Sequence, residues 1–365
     1  TGVQTCALPI FLFQMGPKAF PGKAVPVNSR EILIIRLSSL GDLVLATSAM
    51  KVFQESGAKV SLLTKAEFAP LFEGQPGIKE VLVFDKRLGE KEARSRLFSE
   101  LEARRFDLIV DLQNSWRTWS WRSELRRMAK VEVLSKPRIQ EWMILWLRLG
   151  FMGFGRGGRA RRFRDFAVSI SMGEREDDSP LTALSVSAEE KEAVSGLLPQ
   201  GDYVVVLPGG AWKTKEWPYF SDLARLIARE FPVVVLGGAK DWICESVAEA
   251  AREIHPESRT LHGKTSLKES MAVIASAKWV VGNDTGMVHV AEALGKPVAM
   301  IEGPTHPDMG FSPYRKESLA IGLPLFCRPC SKSGRFCYRL GSRACLKDLS
   351  AEFVAEQMRR GGFRC

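Results

Sequence analysis

The chain has 365 residues, of which 45% are hydrophobic and 26% charged, and its net charge is +10. This composition excludes collagen, coiled coils and disordered chains, and the length favours two domains of ordinary size. Apolar runs stay well below the ~18 residues that a membrane-spanning helix needs.

The first half of the chain alternates short buried strands with helices. We interpret residues 1–28 as a disordered or non-native leader. It is a poor signal peptide, because no basic segment precedes its apolar run, and a cytoplasmic protein is expected. The hydrophobic pattern then predicts strands at 32–35, 60–64, 80–84 and 108–111. The intervening helices are predicted at 43–54, 66–72 and 87–104.

A second alternating run follows a looser, Gly- and Arg-rich region. Strands are predicted at 203–207, 233–236, 279–281 and 298–301, and helices at 219–230, 242–254, 267–277 and 287–294. This order predicts an α/β protein with two Rossmann-like, doubly wound parallel sheets that face each other across a cleft. The predicted divisions are 29–172, a linker region at 173–200, a second domain at 201–348, and a C-terminal helix and tail at 349–365.

The first predicted strand is followed by the sequence SSLGD at residues 38–42. Gly41 allows backbone to approach a ligand closely, and the N–H groups that follow it favour an anion. Asp42 lies where a carboxylate can accept a proton from a substrate hydroxyl. The alternative is that Asp42 only caps the helix, and on these residues alone that structural role is favoured.

The second motif is the loop PGGAWKTKEWP at residues 208–218. Gly209 and Gly210 after a strand, followed by lysines before a helix, are typical of a loop that holds phosphate. Lys215 can stabilise the charge that develops on a leaving diphosphate. The alternative fits equally well: Trp217 and Pro218 start the helix, and the lysines point to water.

The third motif is GNDTGMVH at residues 282–289, again between a strand and a helix. The free N–H groups of the helix start and the Thr285 hydroxyl are expected to point toward the cleft. His289 follows Thr285 by one helical turn and lies on the same side of the helix. A lone His on such a helix is usually a core residue, but Asp284 and Thr285 beside it favour function.

These three motifs together resemble glycosyltransferase family 9, the ADP-heptose:lipopolysaccharide heptosyltransferases. The resemblance runs over about residues 32–359 and rests on SSLGD, on KEWP at 215–218, and on Asp284, Thr285 and Gly286 with His289. It implies a GT-B fold whose first half binds acceptor and whose second half binds nucleotide-sugar. It also implies an inverting, metal-independent transfer of heptose from ADP-heptose to the lipopolysaccharide inner core.

The resemblance further implies a role for individual residues. Asp42 would be the general base for the acceptor hydroxyl, and Lys215 would neutralise the departing diphosphate. For the acid that binds ribose, Asp241 and Glu245 are both candidates. The predicted donor-binding residues are Ser39, Gly41, Gly209, Gly210, Asp284, Thr285, Gly286, His289 and Glu245.

Residues 112–117, which follow another strand, resemble the second-heptose enzymes of the family. Asn114, Ser115 and Arg117 are therefore predicted to contact an acidic or phosphorylated sugar acceptor. The alternative is a capped helix with an exposed arginine.

The positive charge is concentrated at residues 86–165, which hold 20 Lys and Arg against ten Asp and Glu. This favours an anionic partner, although a solvated basic face is a close alternative. With the resemblance, the expected partner is a lipid A–Kdo inner-core acceptor at the cytoplasmic face of the inner membrane, where the protein would be peripheral. The predicted interfacial patch consists of Trp142, Met143, Trp146, Leu147, Arg156, Arg159, Arg161, Arg162 and Arg164. The alternative, which is favoured for the tryptophans, is an apolar helix packed on the sheet beside a mobile basic loop.

Four of the seven cysteines are clustered near the C-terminus, at Cys327, Cys330, Cys337 and Cys345. Four thiolates can form a structural zinc site or hold an iron–sulfur cluster, but only the first pair has metal-like spacing. Free thiols are the favoured alternative.

Three rival functions stay open from the sequence. The same fold can move another sugar, a basic chain can bind nucleic acid, and a family relative can bind its ligands without catalysis. The nucleic-acid hypothesis is weakened because no recognised motif is present, and Asp42 and Lys215 argue against a non-catalytic relative.

Overall fold

The computed structural model describes residues 30–147, 153–171, 181–210, 212–332 and 334–363. The predicted leader and residues 173–180 of the predicted linker lie outside these segments. Within them, the strands form two parallel sheets, one of five strands and one of six. In these segments every helix is too short or too polar to cross a bilayer.

The first sheet and its helices make up what we call the front lobe. The sheet order is β3-β2-β1-β4-β5. The strands are β1 (Glu31–Ile35), β2 (Lys59–Lys65), β3 (Ile78–Phe84), β4 (Leu108–Asp111) and β5 (Lys130–Val133). The helices are α1 (Leu40–Glu55), α2 (Glu90–Glu102), α3 (Trp116–Met128), α4 (Arg138–Trp146) and α5 (Gly158–Ser171). The apolar run in β1 is fully buried because helices cover both faces of the sheet.

The second sheet and its helices make up the rear lobe, whose sheet order is β11-β10-β9-β6-β7-β8. The strands are β6 (Val204–Leu207), β7 (Val233–Val235), β8 (Arg259–Thr260), β9 (Trp279–Asn283), β10 (Val298–Ile301) and β11 (Leu319–Ile321). The helices are α6 (Ala188–Ser195), α7 (Phe220–Ile227), α8 (Ile243–Arg252), α9 (Leu267–Ser276), α10 (Gly286–Ala293), α11 (Ala344–Lys347) and α12 (Ala351–Arg360).

The strand orders explain where the three sequence motifs meet. In the front sheet, β1 lies between β2 and β4. The strands that follow β1 are added on one side of it up to β3 and on its other side from β4 onward, so the strand order reverses beside β1. In the rear sheet, β6 lies between β7 and β9 in the same way. Loops that follow such strands flank the crevice at the carboxyl ends of the sheet, where α/β proteins bind ligands.

Helix α1 packs against α5 of its own lobe and against α10 of the rear lobe. Two glycines make this close approach possible. A Cβ on Gly41 would lie 2.8 Å from the His289 ring, and a Cβ on Gly286 would lie 2.8 Å from the Leu40 side chain. The N-termini of α1 and α10 therefore face each other across the cleft.

Two predicted helices are shorter than expected, for local reasons. The predicted helix at 66–72 is only a 3-10 turn at Ala69–Leu71, with a proline at its start. The predicted helix at 87–104 begins at Glu90, because Gly89 has a φ of 84° and interrupts it. Helix α6 occupies part of the predicted linker region. The Gly- and Arg-rich stretch, which was expected to be irregular, is largely the helix α5.

Candidate active site

Asp42 belongs to the first turn of α1 and makes two kinds of contact. Its carboxylate accepts hydrogen bonds from the Ser39 N–H (3.3 Å) and the Ser39 hydroxyl (3.1 Å), which completes the N-cap of α1. The same Oδ2 atom pairs with the Arg36 guanidinium at 2.8 Å. The capping role is therefore present, and an ion pair is added to it.

Arg36 stands at the end of β1 and was missed in the sequence analysis. Besides Asp42, it donates to the Leu112 carbonyl at 2.5 Å, and its guanidinium lies over the Phe163 ring. Burial raises the pKa of Asp42, but Arg36, the Ser39 N–H and Arg159 more than offset this and hold the pKa below its usual value. Asp42 is therefore a carboxylate, ready to accept a proton, at neutral pH.

Lys215 and Asp284 form the matching ion pair of the rear lobe. The Lys215 ammonium lies 2.7 Å from Asp284 Oδ2, and both side chains are largely buried. Thr305 donates its hydroxyl to the same carboxylate at 2.8 Å. Burial raises the pKa of Asp284, but Lys215, His289 and Thr305 lower it overall. The lysine is therefore held by a carboxylate and does not point to water.

His289 lies between these two ion pairs. It is only 4% exposed, and Asp284, Asp42 and Lys215 are all close enough to act on its ring electrostatically. Burial lowers the pKa of His289 and outweighs the two carboxylates, so the imidazole is neutral at pH 7. The His289 ring also packs against Gly41, the neighbour of Asp42 in the chain, so the motifs of the front and rear lobes approach each other at this side chain.

Around this centre, Asn283 joins the two rear motifs. Its amide donates to the Pro208 carbonyl at 2.7 Å and accepts from the Trp217 N–H at 3.3 Å. Thr285 is the N-cap residue of α10, yet its side chain makes no capping hydrogen bond. The N–H groups of the first turn of α10 are therefore not capped by the Thr285 side chain.

The two candidates for the ribose-binding acid differ in position. Asp241 accepts the Gly238 N–H at 2.7 Å, and it lies against Gly209, where a Cβ would meet its carboxylate at 2.6 Å. Glu245 is half exposed and points to His262 at 3.5 Å. Asp241 is thus beside the predicted phosphate loop, whereas Glu245 lies farther along α8.

The three predicted acceptor residues are engaged within the front lobe. Asn114 donates to the Leu134 carbonyl at 2.9 Å, and Ser115 caps α3. Arg117 pairs with Glu90 at 2.6 Å. Ser115 and Arg117 also line a surface hollow of about 530 Å³, which includes the exposed Trp116. These contacts are those of the alternative interpretation, a capped helix, although Arg117 is paired and not free in solvent.

The predicted interfacial patch is only half exposed. Trp142, Trp146 and Leu147 are more than 50% exposed on α4. Arg159 and Arg164, by contrast, are buried, so the prediction of an exposed basic half is wrong for them. Arg159 pairs with Glu141 of α4 at 2.6 Å and donates to the Met309 carbonyl at 3.0 Å, so it joins α4 to the rear lobe. The remaining three arginines named in the patch donate to backbone carbonyls: Arg156, Arg161 and Arg162.

The four clustered cysteines do not assemble a metal site. Among the described residues, no group of three or more His, Cys, Asp or Glu side chains is placed to hold a metal ion. Cys337 instead accepts hydrogen bonds from N–H groups of its own turn, and Cys345 is buried in the rear core. Burial raises the pKa of Cys345 to about 11. In the part of the chain that the structure describes, the four side chains are therefore not gathered as the tetrahedral-site hypothesis requires.

Comparisons with known proteins extend these observations. The family described as "Glycosyltransferase family 9 (heptosyltransferase)" matches residues 163–337. The lipopolysaccharide heptosyltransferase 2 of Escherichia coli K12 is 27% identical over 304 residues, which covers 76% of this chain and 84% of the relative.

Two solved structures from E. coli have the same fold. The ADP-heptose lipopolysaccharide heptosyltransferase II superposes with a TM-score of 0.65 at 24% identity, covering 91% of this chain and 98% of that one. Heptosyltransferase WaaC with ADP-2-deoxy-2-fluoro heptose superposes with a TM-score of 0.64 at 19% identity, covering 90% and 99%.

The two parallel sheets with their helices form an α/β fold like that of the GT-B heptosyltransferases. Residues 163–337 carry a match to the heptosyltransferase domain of family 9, and the enzymes that the chain resembles over most of its length are lipopolysaccharide heptosyltransferases.

Proposed function

We propose that this enzyme transfers heptose from ADP-heptose to the inner core of lipopolysaccharide with inversion at the anomeric carbon. Asp42 is the general base and Lys215 supports the departing diphosphate. The front lobe, residues 29–172, binds the acceptor, and residues 201–348 bind the donor. The donor assignment is supported by the ADP-sugar that WaaC carries in its solved structure.

The observation that carries the proposal is the convergence on His289. A carboxylate from one lobe and an ammonium from the other act on the same buried imidazole. This proximity supports an inverting transfer, in which a base activates the nucleophile on one side of the anomeric carbon and a positive group stabilises the leaving group on the other.

The proposed step conserves atoms and charge. Asp42 takes the proton of the acceptor hydroxyl, whose oxygen forms a bond to the anomeric carbon. The bond from that carbon to the diphosphate oxygen breaks, and ADP departs with the electron pair. The Lys215 ammonium, the Thr285 hydroxyl and the N–H groups at the start of α10 neutralise the new charge. Since these groups supply the positive field, the proposal needs no catalytic metal.

The donor pocket leaves one related function as an alternative. The sugar specificity depends on groups that contact the heptose, and the same fold can move another sugar from a nucleotide donor. The Gly209–Asp241 contact favours a ribose bound beside the phosphate loop, but it does not distinguish one sugar from another.

We also propose that the enzyme works at the cytoplasmic face of the inner membrane. The exposed Trp142, Trp146 and Leu147 of α4 support this location, since aromatic and apolar side chains are typical of membrane interfaces. The acceptor is anchored there by lipid A.

The test is a turnover assay with ADP-heptose and a truncated core acceptor, beside other nucleotide sugars and with EDTA in a parallel reaction. We expect product only with ADP-heptose, at a rate that EDTA leaves unchanged. Turnover with another sugar would shift the proposal to the alternative donor, and loss of activity with EDTA would reject metal independence.

A further inference from the structure

Residues 327–332 and 334–345, which we call the strap, contact the loop that carries the proposed leaving-group lysine. The Arg335 guanidinium stacks 4.3 Å above the centroid of the Trp212 ring. Arg343 donates to the Lys213 carbonyl at 2.6 Å. Two consecutive loop residues are thus held by two arginines of the strap.

The next two residues of the loop are held by a single glycine of the strap. Thr214 donates its hydroxyl to the Gly334 carbonyl. A Cβ on Gly334 would lie 2.9 Å from Lys215 Cε and 2.8 Å from the Pro304 ring, so the lysine side chain fills the space that the glycine leaves. A larger side chain here has to displace Lys215 or the Pro304 ring, and the lysine is the more flexible of the two.

The strap also acts on Asp284, the ion-pair partner of the same lysine, through Arg328 and Thr305. Arg328, which is buried, donates to the Thr305 carbonyl at 2.8 and 3.1 Å. The Thr305 hydroxyl in turn donates to the Asp284 carboxylate, which pairs with Lys215. The strap therefore fixes both partners of the rear ion pair.

The strap also contacts the front lobe. Lys332 lies 2.8 Å from Glu141 on α4, and Glu141 is the carboxylate that pairs with the buried Arg159. One short segment thus links the Lys215 loop to the helix that borders the acceptor side of the cleft.

From these contacts we infer that the strap is a positioning element for donor chemistry, in which Gly334 sets the place of the Lys215 ammonium. The inference rests on the proposed function of Lys215 and assigns a role to a segment that the proposed mechanism does not use. Gly334 touches no reacting atom, so it is a positioning residue and acts only through the lysine.

Gly334→Ala tests this directly. We expect the added methyl to push Lys215 away from Asp284, which lowers kcat about 10- to 100-fold and weakens ADP binding, with the acceptor KM within about twofold. Independently of turnover, amine acetylation of Lys215, followed by mass spectrometry, should become several times faster, because its ammonium loses the shielding carboxylate.

A matched control comes from the same segment. Gly341 has a φ of 81°, close to the 70° of Gly334, but a Cβ there would meet nothing within 4 Å. Gly341→Ala carries the same backbone strain without the contact to Lys215, so we expect its kcat and its Lys215 labelling to stay near those of the parent. Thr214→Val, which removes only the hydroxyl, is a milder second variant with a smaller change in the same direction.

The possible results distinguish a failure of the positioning role of the strap from a failure of the proposed function. Faster Lys215 labelling in Gly334→Ala, but not in Gly341→Ala, supports the strap even if ADP-heptose is no substrate, in which case only the proposed function fails. Unchanged labelling in both Gly334→Ala and Thr214→Val overturns the strap. Equal effects of the two alanine variants would also overturn it, since strain alone would then explain them.

Discussion

The two lobes use the same kind of ion pair in opposite senses. In the front lobe, Arg36 stands behind Asp42 and keeps a carboxylate available to the cleft. In the rear lobe, Asp284 holds Lys215 and keeps an ammonium available. Both carboxylates have a lowered pKa, so the charge of each is compensated by its partners. The difference lies in which member of each pair is offered to the substrate.

The two ion pairs are expected to respond differently when substrates bind. A donor diphosphate competes with Asp284 for the Lys215 ammonium, so the rear pair is expected to loosen when donor binds. An acceptor hydroxyl does not compete for Arg36, so the front pair should persist. Variants of the two lobes should therefore differ in how they change rate and donor affinity.

The largest effect is expected for Asp42→Asn, which keeps the shape of the side chain and removes the base. Loss of a general base typically lowers turnover by about 100- to 10,000-fold. ADP affinity, measured by calorimetry, should stay near that of the parent, because the rear lobe is untouched. Near-normal kcat in Asp42→Asn would place the base elsewhere.

Lys215→Met should have the second largest effect and a different signature. Loss of one group that stabilises the leaving charge typically lowers kcat by about 100- to 1,000-fold, and here ADP affinity should fall as well. Lys213→Met, in the same loop, removes a neighbouring charge and is the control. Equal losses in the two variants would mean that general positive charge matters and the Asp284 pairing does not.

A smaller effect, on pH dependence, is expected for Arg36→Met. Arg36 lowers the pKa of Asp42, so its removal raises that pKa. Because a protonated base is inactive, the acid limb of the kcat/KM profile should move to higher pH. Arg36→Lys keeps the positive charge and should return the limb toward its original place. A profile that does not move would separate Arg36 from the base.

The smallest effect concerns stability and contrasts two buried glutamates. Burial raises the pKa of Glu302 in the rear lobe to about 7, from an ordinary 4.5, so the folded state binds more protons than the unfolded chain between these values. Its contribution to stability is complete below the ordinary pKa and is lost as pH rises through 7, by at most about 3 kcal/mol. Urea unfolding of Glu302→Gln should lack this decline.

Glu141 in the front lobe should show the opposite sign. Burial raises its pKa, but Lys332 and Arg159 lower it overall. Its contribution is therefore present above the ordinary pKa and is lost as pH falls. If Glu141→Gln and Glu302→Gln changed the pH dependence of unfolding in the same direction, the electrostatic contrast between the lobes would be wrong.

The fold and the three site loops are predictable from the sequence for a simple reason. Fully apolar strands such as β1 and β6 require a parallel sheet covered on both faces, and motif residues that follow their carboxyl ends have to meet at the cleft. The short strands β8 and β11 were missed because two or three residues carry no recognisable period.

The partners of the site residues were not predictable in the same way. Arg36 and Thr305 both follow strand ends, which is a signal that can be read, but the carboxylate that each one contacts is set by tertiary packing. For Arg159, the exposure predicted from the sequence is wrong. A run of arginines predicts exposed charge, whereas packing against α4 and the rear lobe buries this one.

The central claim is that Asp42 and Lys215 work on opposite sides of one anomeric carbon. The most direct measurement is the anomeric configuration of the heptosyl product, determined by NMR after turnover of configurationally defined ADP-heptose. Opposed groups predict that every product linkage has the configuration opposite to that of the donor. A product that retains the donor configuration would contradict the account.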